Sequence, residues 1–214
     1  PALFTILLFV TATSVIILPS FKENLLEKKR EMLREMAEIV YDVIAAYEKM
    51  ERNGEMSREA AQKQVLQIIA DLRYGPANKD YFWINDMNAL IVVHPYRPDL
   101  RGEAVPDFRY PTGKNLLEEF VRVVKAQGAG YVEYLFQWQD DPNRIVPKLS
   151  YVKGFAPWGW VIGTGLYIDD VNVEIGLIAK QLNAIATVIL LLNAFLAFYR
   201  SEEHTSELQS LAYL

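Results

Sequence analysis

Eight side chains in the middle of the sequence have the types needed to hold a small anion. Tyr81, Trp83, His94, Arg109, Tyr110, Tyr134, Tyr151 and Lys153 are large or basic groups on or beside segments with strand-like alternation. A pocket for a carboxylate needs one cation, one or two hydroxyl or N–H donors and an aromatic wall. Lys153, His94, Tyr134 and Trp83 supply that set. Alternation puts Tyr81 and Trp83 on one face of their strand, and Tyr151 and Lys153 on one face of another. Spacing does not say which face meets a pocket. Each residue also has a plainer reading: Lys153 in solvent, His94 at a strand end beside Pro95, the aromatic rings in the core.

Other chemistries lack their residues. Gly113-Lys114 falls short of a phosphate loop, which requires glycine at 108 and Ser or Thr at 115, where Phe108 and Asn115 stand. Gly163-Thr164-Gly165 has no third glycine and no following βαβ unit, so tight strand packing explains it better than a dinucleotide site. The 214 residues include no cysteine and two histidines, which leaves a transition-metal site without ligands. Ser150 lies inside a strand without an elbow motif. Asp140-Asp141 and Asp169-Asp170 read as turn and cap residues. Neither catalysis nor a metal or cofactor is expected. The 22 basic and 27 acidic residues give a net charge of −5, with no basic excess to mark a nucleic-acid binder. A composition 51% hydrophobic and 12% aromatic excludes disorder.

The elements that must position these side chains follow from periodicity. Phe21 to Asn53 reads as one long helix. Leu33, Met36, Val40, Val43, Tyr47 and Met50 are spaced alternately three and four apart, an a/d stripe that suits either the domain's own core or a second copy of the helix. Ser57 caps a second helix with Val65, Leu66, Ile68, Ile69 and Leu72 as its apolar face. Tyr81–Asn85 and Ala89–His94 flank turn formers and read as a hairpin. Proline and glycine punctuate a loop from Pro95 to Gly113. Leu116–Gln127 is a helix, and Gly130–Trp138, Val146–Phe155 and Trp158–Leu166 are three more strands. Asp140 to Asn143 and Ala156-Pro157 turn between them. Five strands joined by hairpins, with helices kept apart from them, predict an α+β domain with an antiparallel sheet.

Both ends read as membrane segments. Residues 1–20 open with eighteen uncharged positions, slightly short of the ~20 that span a bilayer. Residues 176–199 form a second apolar helix, with Lys180 and Tyr199 placed to sit at the interfaces. Residues 21–175 lie between them as one domain. Arg200-Ser201-Glu202-Glu203-His204-Thr205-Ser206-Glu207-Leu208-Gln209-Ser210 matches the translation of a common sequencing-library adapter, so residues 200–214 are set aside as an artefact. Orientation does not follow from charge, because a loop this long crosses largely regardless of it.

Several blocks resemble the single-Cache sensor family. They are Asp80-Tyr81-Phe82-Trp83-Ile84, His94-Pro95 with Gly102, Gly113-Lys114, Gly128-Ala129-Gly130-Tyr131-Val132-Glu133-Tyr134, Pro147 to Lys153, and Pro157-Trp158-Gly159-Trp160-Val161-Ile162-Gly163-Thr164-Gly165-Leu166-Tyr167. The resemblance runs from about Leu33 to Val171, and the last block is its most specific part. It implies a PAS-like, five-stranded antiparallel sheet with a long N-terminal helix, flanked by two transmembrane helices. Such domains are extracytoplasmic sensors of bacterial chemoreceptors and sensor histidine kinases, held in the inner membrane with the sensor in the periplasm. The implied ligand is a short carboxylate such as acetate, propionate, pyruvate or lactate. Amines or urea, or a ligand-free dimerisation or partner-binding module, are the alternatives. Carried over by position, His94, Tyr134 and Lys153 are the expected ligand contacts, with Tyr81, Trp83 and Tyr151 next and Arg109 and Tyr110 beside them. Many members have Asp where Tyr110 stands, and its loss favours an anion over a cation, unless Asp107 substitutes. A homodimer through the N-terminal helix is the expected assembly. The domain itself is expected to be no enzyme, while a kinase or cyclase could follow it.

Overall fold

The computed structural model describes residues 8, 10–75, 78–103 and 115–212, with backbone alone from 201 onward. The chain divides into two units, Leu26–Asp170 and, separately, Pro1–Leu25 with Val171–Leu214.

Helix α1 spans Leu18–Arg52 and continues directly from a π-helical stretch, Thr13–Ile17, so its one proline, Pro19, sits beside that widened turn rather than at a free helix start. Leu33, Ala37, Val40 and Ile44 are its buried residues. Met36 and Tyr47 pack at the margin of the same core. Leu33, Met36, Val40 and Tyr47 of the apolar stripe thus pack within the domain, while Val43 and Met50 are only partly buried. Helix α2 spans Arg58–Asp71, and the Ser57 hydroxyl accepts the Ala60 N–H at 3.2 Å as its cap. Its buried face is Ala61, Val65 and Ile69, while Ile68 and Leu72 are exposed.

Strand β1 is the dipeptide Arg73–Tyr74, too short to show a period in the sequence. Strands β2 (Asp80–Asp86) and β3 (Ile91–Val93) form the expected hairpin. The Asp86 carboxylate accepts the N–H groups of Asn88 and Leu90, both at 2.9 Å, and so fixes the turn. Helix α3 (Leu116–Gln127) is capped by Asn115, whose side chain accepts the Leu117 N–H, and ends at Gly128 with φ of 78°. Strands β4 (Ala129–Trp138), β5 (Asp141–Phe155) and β6 (Trp160–Tyr167) follow. The β4–β5 turn is Gln139-Asp140, one step earlier than the sequence suggests, because Gln139 takes a left-handed φ of 51°.

Every strand pairing is antiparallel, and the order is β1-β2-β6-β5-β4, with β3 also on β2. The sheet thus has six strands, the five expected plus β1. One core lies on the α3 side and includes Tyr81, Trp83, Phe120, Tyr134, Phe136 and Val152. The other lies under α1 and α2 and includes Val40, Ile44, Val65, Phe82, Ile84, Phe155 and Ile162. Strands β2, β5 and β6 are consequently covered on both faces.

Helix α4 (Ile168–Ala212) starts at the residue after β6, with Asp169 and Asp170 inside its first turn. Its stretch Ile168–Arg200, 33 residues, is long and apolar enough to cross a membrane. Of the apolar run expected at residues 1–20, positions 1–7 and 9 lie outside the described residues, and the remainder is helical.

Candidate functional site

The α3-side core contains a buried base. Lys148 is 1% exposed, yet it carries an ammonium-type side chain. Strand β5 puts it there: Lys148, Ser150 and Val152 share the face toward α3, opposite Tyr134, Val132 and Gly130 of β4. Its Nζ donates to the Tyr81 hydroxyl at 2.8 Å. The same Nζ lies 4.1 Å from the Tyr81 ring centre, 5.0 Å from Tyr167, 5.3 Å from Trp83 and 5.4 Å from Phe136. Four rings from three strands thus make a cage around one amine. No acidic residue forms an ion pair with it among the described residues. Burial pushes the Lys148 ammonium down to about 7, against the opposing pull of Asp80.

Glycines make room for this cage. A Cβ on Gly165 would collide with the Ser150 hydroxyl and the Leu149 carbonyl and crowd the Lys148 stem. A Cβ on Gly163 would enter the Trp83 indole. The Gly163-Thr164-Gly165 run therefore serves strand packing at the site, and Thr164 ties it in by donating to the Tyr81 carbonyl at 2.9 Å.

Next to the cage is a small cavity lined by Trp83, Ile91, His94, Leu100, Phe120, Tyr134 and Phe136, among others. Trp83 and Phe136 belong to both. Its free volume is about 10 Å³, the room of a single water. Two polar atoms at its wall, Trp83 Nε1 and His94 Nδ1, are buried with no hydrogen-bond partner. Orphaned groups of this kind cost stability until a partner satisfies them. Burial, and after it the charges of Lys148 and Arg97, push the His94 imidazole well below its usual value, so it is neutral. The Tyr134 hydroxyl is 2.9 Å from the Ser150 hydroxyl, and burial holds its ionisation far above the usual range.

The structure thus brings together His94, Tyr134, Tyr81 and Trp83 of the expected set. It sets Lys153 and Tyr151 elsewhere. Both lie on the α1-facing side of β5, where the Lys153 ammonium pairs with Glu38 and lies 4.2 Å over the Tyr41 ring. Tyr151 stacks with Tyr131 at 4.9 Å on that same side. The physical reason is parity: five residues separate Lys148 from Lys153, and odd spacings change face. Arg109 and Tyr110 fall outside the described residues. Lys148 is the residue that sequence reasoning missed. The available signal was that it shares its face with Ser150 and, through the pairing of β4 with β5, with Tyr134.

The arrangement can accept an anion. It offers one amine in a dry aromatic cage, two unpartnered polar atoms, paired hydroxyls and an otherwise apolar wall.

Comparisons with known proteins agree with this frame. Residues 25–181 match the profile of the family described as Single Cache domain 2. The methyl-accepting chemotaxis protein McpP of Pseudomonas putida is 37% identical over 172 residues, 80% of this chain and 31% of that protein. The sensor histidine kinase MctS of Rhizobium johnstonii is 32% identical over 157 residues, 72% of this chain and 32% of that protein. The chain therefore spans about a third of the length of the curated relatives it matches. A solved structure described as the basis for carboxylic acid recognition by a Cache chemosensory domain is 38% identical. It superposes with a TM-score of 0.63, covering 68% of this chain and 97% of that one. A periplasmic sensor domain of a chemotaxis protein is 37% identical with a TM-score of 0.62, covering 67% of this chain and 97% of that one.

Proposed function

The chain belongs to the Single Cache domain 2 family, and from that premise we propose that it senses a short carboxylate outside the cytoplasm on behalf of a membrane receptor. Cache domains are non-catalytic ligand-binding modules, so the chemistry to be explained is recognition. The observation that carries the ligand class is Lys148: a caged amine that forms no ion pair among the described residues, with unpartnered polar atoms nearby. A carboxylate would supply the missing counter-charge. An alkylammonium ion would meet a like charge in a dry site, and neutral urea brings no charge to balance the amine, so neither suits the site as a carboxylate does. The relative whose structure concerns carboxylic acid recognition points the same way.

The proposed contacts are Lys148 for the carboxylate, Tyr81, Tyr134 and His94 as polar neighbours, and Trp83 with Phe120 and Phe136 as the apolar wall. At a ceiling of about −1.5 kcal/mol per heavy atom, acetate could reach about −6 kcal/mol, or tens of micromolar. A cavity of about 10 Å³ does not hold four heavy atoms, so entry opens it. The ligand then favours the opened arrangement over the closed one, which is what shifting an equilibrium requires. Tyr167 lies against Lys148 and is the last residue before α4. Displacing the cage therefore bears on the start of the helix that we place across the membrane, with a second span at residues 1–20. If α1 also pairs with a second copy, it does so through its exposed positions, such as Arg34, Ile39 and Ala46, since Leu33, Ala37, Val40 and Ile44 are taken.

The test is a binding panel on the full chain in lipid nanodiscs, read by tryptophan fluorescence. Acetate, propionate, pyruvate and lactate are compared with ethylamine and urea. Saturable binding of an acid that is lost in Lys148→Met supports the reading. Binding of the amine or urea alone overturns it.

A further inference from the structure

Resting on the carboxylate reading of the site, we propose that the anion enters the Lys148 cage together with a proton taken from solvent, so that the receptor reports the acid and the acidity jointly.

The argument begins with the geometry. An ammonium has three N–H donors, and Lys148 places one, on the Tyr81 hydroxyl at 2.8 Å. Rings of Tyr81, Trp83, Phe136 and Tyr167 surround it, and it is 1% exposed. Without an anion, the neutral amine is the better occupant of such a cage, because the charged form loses its water and the attraction of Asp80 offsets that loss only in part. A carboxylate reverses that preference. The ligand and the proton then bind with positive coupling, and each raises the affinity for the other.

The neighbours do not take over this titration. On β2, the Asp80 carboxyl attracts the Lys148 ammonium, and burial pushes it up to about 6, so it is mostly ionised from neutral pH upward. Tyr81 of β2, Tyr134 of β4 and Tyr167 of β6 are all held above their usual range by burial and remain protonated. From the segment after β3, His94 is pushed well down and is already neutral, and Arg97 acts on it from nearby as a fixed charge. Helix α3 lends the cavity only apolar side chains among the described residues. Lys148, lowered to about 7, is the group left to change charge between neutral and mildly alkaline pH.

The proton balance is explicit. A carboxylate anion, a neutral Lys148 amine and one proton from the buffer give a carboxylate–ammonium pair. Propionate itself stays ionised throughout, since carboxylic acids titrate far lower.

The experiment measures propionate binding to the full chain in nanodiscs from about pH 6 to about pH 9. Calorimetry at the alkaline end uses two buffers of unlike ionisation heat, phosphate and Tris. The expected result is an affinity that is flat on the acid side and falls about tenfold per pH unit on the alkaline side. The two buffers should give heats that differ by nearly one proton taken up. Lys148→Arg, which stays charged, should bind with a flat profile. If that variant does not fold, a pH indicator in weakly buffered wild-type protein reads the uptake directly. Propionate binding with constant affinity and buffer-independent heat overturns the coupling and leaves the carboxylate reading intact. No binding of propionate, acetate, pyruvate or lactate at any pH overturns both.

Discussion

Lys148 and Lys153 stand five residues apart on one strand and face opposite cores. The first donates to the Tyr81 hydroxyl at 2.8 Å inside an aromatic cage. The second is paired with Glu38 of α1. An odd separation on a strand covered on both faces sends two like side chains into unlike environments, and their variants should separate cleanly.

Lys148→Met should stabilise the domain at neutral pH. Burial lowers the Lys148 ammonium to about 7 from its usual 10.5. Between those values the unfolded chain binds the proton that the folded chain has released, so wild-type stability rises with pH across that window. Below it, the penalty is present in full, a few kcal/mol at about 1.4 kcal/mol per pKa unit. Met fills similar space without charge and escapes the penalty. Thermal melts from neutral pH to about pH 10 check this. The variant should melt higher at neutral pH, with the gap narrowing as the wild type gains. Parallel curves would contradict it.

Lys153→Ala should behave in the opposite way. Its ammonium is 21% exposed, pairs with Glu38 and sits over the Tyr41 ring. Losing a partly exposed ion pair and a cation–π contact costs about 1–2 kcal/mol. Urea denaturation should show that loss, while propionate affinity stays within about twofold of wild type, a change too small to reflect a lost ligand contact. A tenfold weaker affinity would place Lys153 in the site after all.

Gly165→Ala should damage both stability and binding. The new methyl meets the Ser150 hydroxyl, the Leu149 carbonyl and the Lys148 stem. Overpacking of this kind costs about 1–3 kcal/mol, and two of the three neighbours belong to the site. Gly176→Ala is the control, since nothing lies within 4 Å of a Cβ there and helix propensity favours alanine. Fluorescence titration and melting of the two variants should diverge; equal behaviour would remove the packing argument.

What the sequence made readable, and what it hid, has a physical pattern. Short apolar runs between turn formers placed the strands: Tyr81–Asn85 is such a run, buried throughout, while burial alternates along Val132–Phe136. The Ser57 cap placed α2, because its hydroxyl accepts a backbone N–H directly, whereas the Asn115 cap of α3 appears only in the structure. Strand β1 escaped, since two residues carry no period. Within the site, Tyr81, Trp83, His94 and Tyr134 were readable as a set of large polar and aromatic groups. Lys148 was not. A lysine in a core breaks the rule that its charge stays in water, and Pro147 to Lys153 offers two lysines on opposite faces. Alternation tells which residues share a face. Only the pairing of Tyr134 with Lys148 across β4 and β5 tells which face holds the cavity.

Asp80→Asn tests the electrostatics of the cage without touching its walls. Burial raises the Asp80 carboxyl from 3.8 to about 6, against the pull of Lys148 and with help from Asp170. At neutral pH it is mostly ionised, and its charge supports the ammonium form of Lys148. Asparagine keeps the shape, which matters because the carboxylate lies directly over Gly75. Removing the charge should push the Lys148 ammonium lower still. The pH at which propionate affinity begins to fall should then move toward acid, and affinity at pH 7 should drop several-fold. Stability should move the other way. A carboxyl with a raised folded value holds its proton more tightly when folded between 3.8 and about 6. Folding free energy is therefore lost as pH rises through that window, and asparagine restores about 1–2 kcal/mol at pH 7 after allowance for partial exposure. A variant that is both more stable and a weaker binder is not what general damage produces. Titrations across pH alongside melts at pH 7 decide it: an unmoved midpoint would show that Asp80 does not set the charge of Lys148.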